Sequence, residues 1–377
     1  MGARPDRPAR AGRRRQGNDP RQDRGRPDPG QRAGRGRGWR RQPQGRGRRG
    51  SGTGGRRARH QGRVSDSPAD MTLTLAEPLR LTAPAKVNLA LHVVGRRPDG
   101  YHRLESLIAF AGDACDVLTV AAAPEGADRL VMAGPFGASL PTDADNILHR
   151  TIAVARQVLA HAGLRLPPLT LTLDKRLPVA AGIGGGSADA AALLRMIGDA
   201  VPAVRDALLA RATTLGADVP MCIAGRAARV SGIGEKIKPL ANLPALHMLL
   251  VNPGVPVSTP AVFAALEQRD NAPLPPVPAQ GFRTAAELVA WLDGTRNDLA
   301  APAERLAPQI VAVRDALAGD GALIARMSGS GATVYGLFED DARLARARSR
   351  IAASHPEWWL SGARHPATPA DLTLEAP

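Results

Sequence analysis

The chain has 377 residues and a formal net charge of +15, and that charge is confined to one end. Residues 1–70 hold 21 of the 50 basic and 6 of the 35 acidic residues, leaving 29 of each, and no net charge, from Met71 onward. A neutral body of that length, rich in Ala, Leu and Val, makes one large domain or two ordinary ones. Its neutrality argues against nucleic-acid binding through bulk charge.

Residues 32–62 read "RAGRGRGWRRQPQGRGRRGSGTGGRRARHQG", almost without aliphatic side chains. Such a stretch buries too little apolar surface to offset chain entropy, so residues 1–70 are expected to be a disordered extension. Two readings stand for it. It is an Arg/Gly arm for nucleic-acid phosphates, or a spurious extension upstream of a start at Met71. No apolar run of signal-peptide or membrane-span length occurs. Cys115 and Cys222, each in apolar surroundings and far apart, read as free thiols of a cytoplasmic protein.

Along the body, Leu79–Thr82 and the alternating Val87–Val94 predict strands. "GRRPDGYH" from Gly95 to His102 reads as a loop, and "LESLIAFA" and "DVLTVAAA" as further strands. A capped helix is expected over Asp145–Gly163 and a strand over Leu169–Lys175. A glycine loop follows, then a helix from about Ser187 to Ile197 and another ending at Gly216. "ALHMLLVNP" predicts a strand, "TPAVFAALEQ" a helix and Asn271–Pro278 a Pro-rich loop. A helix over "APQIVAVRDALAGDGA", a strand–glycine turn–strand over "LIARMSGSGATVYGLFED" and a late helix over "DARLARARSRIAAS" complete the pattern. Strands and helices mixed without a βαβ repeat indicate an α+β fold. A boundary near Leu240–Leu246 gives parts 71–240 and 241–377.

The glycine loop is "LPVAAGIGGGSADAAALLR", Leu177 to Arg195. Glycines before a helix let an anion reach unpaired N–H groups at the positive end of the helix. Neither the phosphate-loop pattern ending in Gly-Lys-Ser/Thr nor the dinucleotide fingerprint fits. Taken alone, the loop is equally a tight strand-to-helix connection. A second glycine turn, "MSGSGATVYG" from Met327 to Gly336, could likewise be an ordinary hairpin.

Together with "APAKVNLALHVVGRRPDGYH" and "LGADVPMCIAG", these segments resemble the three motifs of the GHMP small-molecule kinases, over about Leu79 to Pro366. Pro84-Ala85-Lys86-Val87-Asn88-Leu89 followed by Arg97-Pro98-Asp99-Gly100-Tyr101-His102 is similar to one branch of that superfamily. That branch phosphorylates the 2-hydroxyl of 4-diphosphocytidyl-2-C-methyl-D-erythritol. The resemblance implies a two-domain fold, with a ribosomal-protein-S5-like N-terminal domain and a ferredoxin-like C-terminal domain. It implies ATP as phosphoryl donor and Mg²⁺, for which no protein ligand is assigned. A small-molecule substrate, no membrane, no nucleic acid, and a monomer or weak homodimer are expected. The alternatives are a mevalonate- or homoserine-type kinase, against which the Tyr101-His102 loop argues, and a nucleic-acid binder using the basic tail.

What the resemblance implies for residues is specific. Asp218 accepts the proton of the attacking hydroxyl; from spacing alone it is as well a turn or capping residue. Lys86, paired with it, favours the deprotonated hydroxyl and offsets phosphate charge. The nucleotide loop comprises Pro178, Val179, Ala180, Ala181, Gly182, Ile183, Gly184, Gly185, Gly186, Ser187 and Ala188. Asn88, on the same strand face as Lys86, meets the sugar-alcohol part of the substrate. Tyr101 stacks on the cytosine and His102 hydrogen-bonds it. Lys175 neutralises phosphates. Two departures stand out: Ala188 and Arg226 occupy positions where many members have a second Ser and a second Gly.

Overall fold

The computed structural model describes residues 71–365 apart from Thr74 and Glu125. The expectations for residues 1–70 lie outside these. The first half contains β1 (Met71–Thr72), β2 (Leu79–Arg96), β3 (His102–Ala122), β4 (Arg129–Ala133), α1 (Ile147–His161), β5 (Leu164–Arg165), β6 (Leu169–Asp174), α2 (Gly185–Ala200), α3 (Arg205–Ala212), α4 (Val219–Ala224), β7 (Ala228–Gly232) and β8 (Lys236–Pro239). The second half contains β9 (Leu246–Asn252), α5 (Thr259–Ala264), α6 (Ala285–Asp293), α7 (Ala300–Leu306), α8 (Gln309–Gly319), β10 (Ile324–Met327), β11 (Val334–Phe338), α9 (Asp341–Ser354) and β12 (Trp359–His365). The fold is α+β. Among the described residues no helix is long and apolar enough to cross a membrane.

The long β3 organises the first half. It pairs with β2 along one edge; on the other edge its start pairs with β7 and its end with β6. The sequence pattern divides both long strands, because their apolar alternation breaks at Ala83–Ala85 and at Gly112–Asp113. The structure carries each strand through the break on a β-bulge: register shifts fall at Pro84/Ala85, Asn88/Ala90 and Val93/Arg96. A bulge spares the strand while re-aiming its side chains. α1 begins where expected, with the Asn146 side chain accepting from the Leu148 N–H at 2.9 Å.

The second half carries four antiparallel strands in the order β10-β11-β9-β12. Numbered within this half, that is 4-1-3-2 read from β12, the ferredoxin-like order. The run "LHMLLVN" is apolar without alternation because β9 is covered on both faces. Met248 and Leu250 join a cluster with Leu89, Leu107 and Phe282, and Leu249 and Val251 join one with Val313, Phe338 and Ile351. A third cluster packs α1 and α2 on the larger sheet through Ile152, Leu193 and Leu171. The sequence missed α6, α7 and the edge strands β4, β8 and β12, whose short runs carry little periodicity.

The bulge at Asn88/Ala90 leaves Leu89 outside the ladder. Its carbonyl is satisfied instead by the buried Tyr335 hydroxyl from β11, which donates at 2.7 Å. Tyr335→Phe removes that donor and strands a buried acceptor, which costs about 1–3 kcal/mol. Urea denaturation should show a loss of that size; an unchanged midpoint would mean that the carbonyl finds another partner.

Candidate active site

Lys86 and Asn88 sit on either side of Val87 in β2 and point the same way. Lys86 Nζ donates to Asn88 Oδ1 at 2.7 Å and lies 3.1 Å from Asp218 Oδ2. Asn88 Nδ2 donates to the Ser106 hydroxyl at 2.7 Å, which donates to the Ala90 carbonyl at 2.7 Å. The lysine is thus held by a chain of buried groups. Asp218 immediately precedes α4, and its side chain keeps 37% exposure. Of the two charges, both of which line the cavity, the carboxylate is the more open.

The glycine loop crosses beside this pair. The Lys86 N–H donates to the Ile183 carbonyl at 2.9 Å, pinning the loop to β2. The backbone of Ala180, Gly182 and Gly184 is left-handed, with φ of 51°, 74° and 66°. Gly184 is the N-cap of α2, and no side chain caps that helix. The N–H groups of its first turn therefore lack intrahelical partners and form a ready anion cradle. The glycines differ in what holds them. A Cβ at Gly182 would meet Ser328 O at 2.3 Å, and one at Gly184 would meet Lys86 Cε at 3.2 Å. One at Gly185 would come 3.0 Å from Lys175 Nζ, whereas one at Gly186 meets nothing nearer than Ile147 at 3.9 Å.

These elements enclose a cavity of about 520 Å³. Residues 178–182 and 184–187 line it together with Lys86, Asn88 and Asp218. Ile183 and Ala188 do not; both side chains are buried in the core. Arg226, the other departure, is exposed. Ser328 of the second glycine turn accepts from the Asn88 N–H and donates to the Gly182 carbonyl, both at 3.0 Å. The turn is therefore a brace for the first loop, a role its sequence does not announce.

The aromatic side of the site differs from expectation in one respect. His102 stacks on Phe263 of α5, with ring centroids 4.8 Å apart and planes 20° apart, and Phe263 faces the cavity. Phe263 was not legible in sequence. Tyr101 is 62% exposed and stands outside the cavity wall. Burial, then the charges of Arg96 and Arg269, hold the His102 pKa below the ordinary histidine value.

Lys175, expected as a phosphate counter-charge, borders the cavity but is spoken for by two carboxylates. It is 2% exposed, and its ammonium is engaged by Asp116 at 2.5 Å and Asp189 at 2.8 Å. Burial opposes its charge, but Asp189 and Asp116 outweigh that and raise its pKa above the usual lysine value. Among the described residues no group of three or more His, Cys, Asp or Glu stands close enough to hold a metal ion.

Both halves of the chain match known proteins. The GHMP kinases N terminal domain matches residues 146–226, and the GHMP kinases C terminal domain matches residues 278–357. A 4-diphosphocytidyl-2-C-methyl-D-erythritol kinase of Chelativorans sp. (strain BNC1) is 46% identical over 300 residues, covering 78% of this chain and 99% of its own. The protein of that name from Paracoccus denitrificans is 48% identical over 282 residues, 75% of this chain and 95% of its own. A crystal structure of 4-(cytidine 5'-diphospho)-2C-methyl-D-erythritol kinase superposes with a TM-score of 0.59 at 35% identity, covering 76% of this chain and 99% of that one. A homoserine kinase from Cytophaga hutchinsonii shares the fold, with a TM-score of 0.55 at 16% identity.

Removing the brace tests its part in the site. Ser328→Ala leaves the Asn88 N–H and the Gly182 carbonyl without their shared partner in a fully buried place. The expected loss is about 1–3 kcal/mol, read by thermal and urea melts. A variant as stable as the parent would mean that the two loops hold each other by backbone contact alone.

Proposed function

The chain belongs to the GHMP kinase family, and on that footing we propose that it transfers the γ-phosphoryl group of ATP to the 2-hydroxyl of 4-diphosphocytidyl-2-C-methyl-D-erythritol. The observation that carries the reading is the Lys86–Asp218 pair, 3.1 Å apart, opening into the same cavity as the uncapped N-terminus of α2. A hydroxyl acceptor placed against Asp218 and a polyphosphate placed on the loop would meet there.

Each side chain then has a task. The hydroxyl oxygen attacks the γ-phosphorus as its proton passes to an Asp218 carboxylate oxygen, and the bond from the γ-phosphorus to the bridging oxygen of ADP breaks. Lys86 stands over the developing alkoxide and the transferred group, in a setting where a fixed charge needs no reorganisation. Asn88 and Ser106 hold that ammonium in place, because an unbraced lysine would sample many rotamers. The first-turn N–H groups of α2 receive the phosphates. Mg²⁺, which this reaction class uses, would be held by the nucleotide's own phosphates with Ser187 at hand, and would offset their charge.

Substrate choice falls to the aromatic end. Phe263 offers a flat face to a pyrimidine and His102 backs it, and stacking on the base is assigned to the exposed Tyr101 beside His102. The relatives named for this kinase, at 46% and 48% identity over nearly their whole length, support that substrate over homoserine. The homoserine kinase likeness extends to fold alone.

Two variants check the reading. Asp218→Asn should lower kcat by at least about 10²-fold with little change in KM for ATP, since the loop is untouched; near-normal turnover would overturn the assignment of the base. Gly186→Val adds a side chain whose Cβ meets no protein atom nearer than Ile147 Cγ2 at 3.9 Å. Its melting curve should match the parent while ATP and ADP binding weakens by about tenfold or more, the scale of about 1.4 kcal/mol. Normal nucleotide affinity in calorimetry would place the phosphates elsewhere.

A further inference from the structure

Beneath the glycine loop lies a second charged cluster that the reaction does not use. Asp116 of β3, Asp189 of α2 and Lys175 after β6 are 0%, 1% and 2% exposed. One ammonium serves both carboxylates, at 2.5 and 2.8 Å. The other oxygen of Asp116 accepts from the Arg176 and Leu177 N–H groups at 2.7 and 2.8 Å. The other oxygen of Asp189 is buried and has no partner when both carboxylates are ionised. Both residues adjoin the phosphate loop, Asp116 at its entry and Asp189 beyond its exit, at the fifth residue of α2. Lys175 joins the two ends.

The charge does not balance. Two carboxylates and one ammonium leave a net negative charge buried against the cavity wall, and neighbouring like charges taken out of water resist ionising together. Only the backbone of Gly185 separates the cluster from the helix N-terminus: a Cβ there would lie 3.0 Å from Lys175 Nζ and 3.4 Å from Asp116 Oδ2. A polyphosphate on the loop would face that surplus charge.

We propose that Asp116 and Asp189 share one proton, carried by the otherwise unpartnered oxygen of Asp189, so that with Lys175 they form a neutral brace across the loop. Nucleotide binding then depends on keeping that proton. The nucleotide part rests on the function proposed above; the proton itself does not.

The surroundings agree. Burial raises the Asp189 pKa, Lys175 pulls it down, and Asp116, within hydrogen-bond range, raises it again, to about 7. From α4, Cys222 contributes no charge, its thiol pushed up to about 12 mainly by burial. Lys86 and Asp218 lie beyond Gly184 and engage each other. Arg195 of α2 turns away to the Cys222 carbonyl. The Arg176 guanidinium is bound to Asp174. A carboxyl whose pKa rises on folding from 3.8 to about 7 contributes stability that is fully present below the lower value and lost as pH rises through the upper one. Phosphate charge on the loop adds to the demand for the proton.

Asp189→Asn is the discriminating variant, because an amide donates to Asp116 and accepts from Lys175 just as the protonated acid does. Infrared difference spectra of the ligand-free protein should show a protonated-carboxyl C=O band near neutral pH in the parent, absent from D189N. Calorimetry with ADP should show parental affinity falling several-fold between about pH 7 and about pH 8.5, while D189N keeps its neutral-pH affinity throughout. Asp116→Asn should weaken ADP at every pH and raise KM for ATP more than it lowers kcat, because its amide would face the ammonium. The proposal is overturned if parent and D189N share the infrared band, or if their affinities follow the same pH profile. Should D116N fail to fold, those two comparisons decide alone. A parent that binds no ADP at any pH refutes the nucleotide coupling and the kinase reading together, and the infrared comparison still rules on the proton.

Discussion

The site depends on one close approach, that of Gly182 to the turn after β10. With φ of 74°, Gly182 lets its chain run so near Ser328 and Gly331 that a methyl group would lie 2.3 Å from one and 2.8 Å from the other. The gap is bridged by Ser328 Oγ to the Gly182 carbonyl, and by the Thr333 N–H to the Ala181 carbonyl at 3.2 Å. Asn297 holds the same turn from outside, donating to the carbonyls of Met327 and Gly329 at 2.8 and 2.9 Å. Two segments almost 150 residues apart in sequence thus behave as one rigid piece, and Lys86 is attached to it through Ile183. Catalytic groups displaced by about 1 Å lose on the order of 10²-fold in rate. The second half of the chain therefore acts on the chemistry without supplying a charged group to it.

What the sequence made legible is what local chemistry dictates. The glycines before α2, the Lys86–Asn88 spacing and the Asn146 cap are short-range patterns, and the structure uses each of them locally. Lys175 shows where such reading stops. Beside a phosphate loop a lysine is reasonably a counter-charge, but Asp116 lies 59 residues away and nothing in either neighbourhood announces their pairing. Phe263 was invisible for the same reason: a single aromatic in a six-residue helix becomes a cavity wall only once α5 is set opposite His102. The long strands were divided because a bulge interrupts alternation without ending the ladder. The second glycine turn looked like a hairpin, and it is one; that it also braces the first loop follows from tertiary contact alone.

Two clusters of the same residue types flank the glycine loop, and their surroundings give them different chemistry. At Lys86–Asp218 the ammonium is 5% exposed and the carboxylate 37%. One acceptor oxygen of a neighbouring amide completes the lysine, so the aspartate can leave its partner for a substrate proton. At Lys175–Asp116–Asp189 all three groups are buried, the ammonium donates to both carboxylates, and Asp116 accepts from the loop N–H groups of Arg176 and Leu177. The loop is positioned by the closed cluster and worked upon by the open one. Gly184 and Gly185, adjacent in sequence, face one each: a Cβ at the first would approach Lys86 and Asp218, and at the second Lys175 and Asp116. The run of glycines is thus a partition thin enough for both sets of charges to lie within reach of the same phosphates.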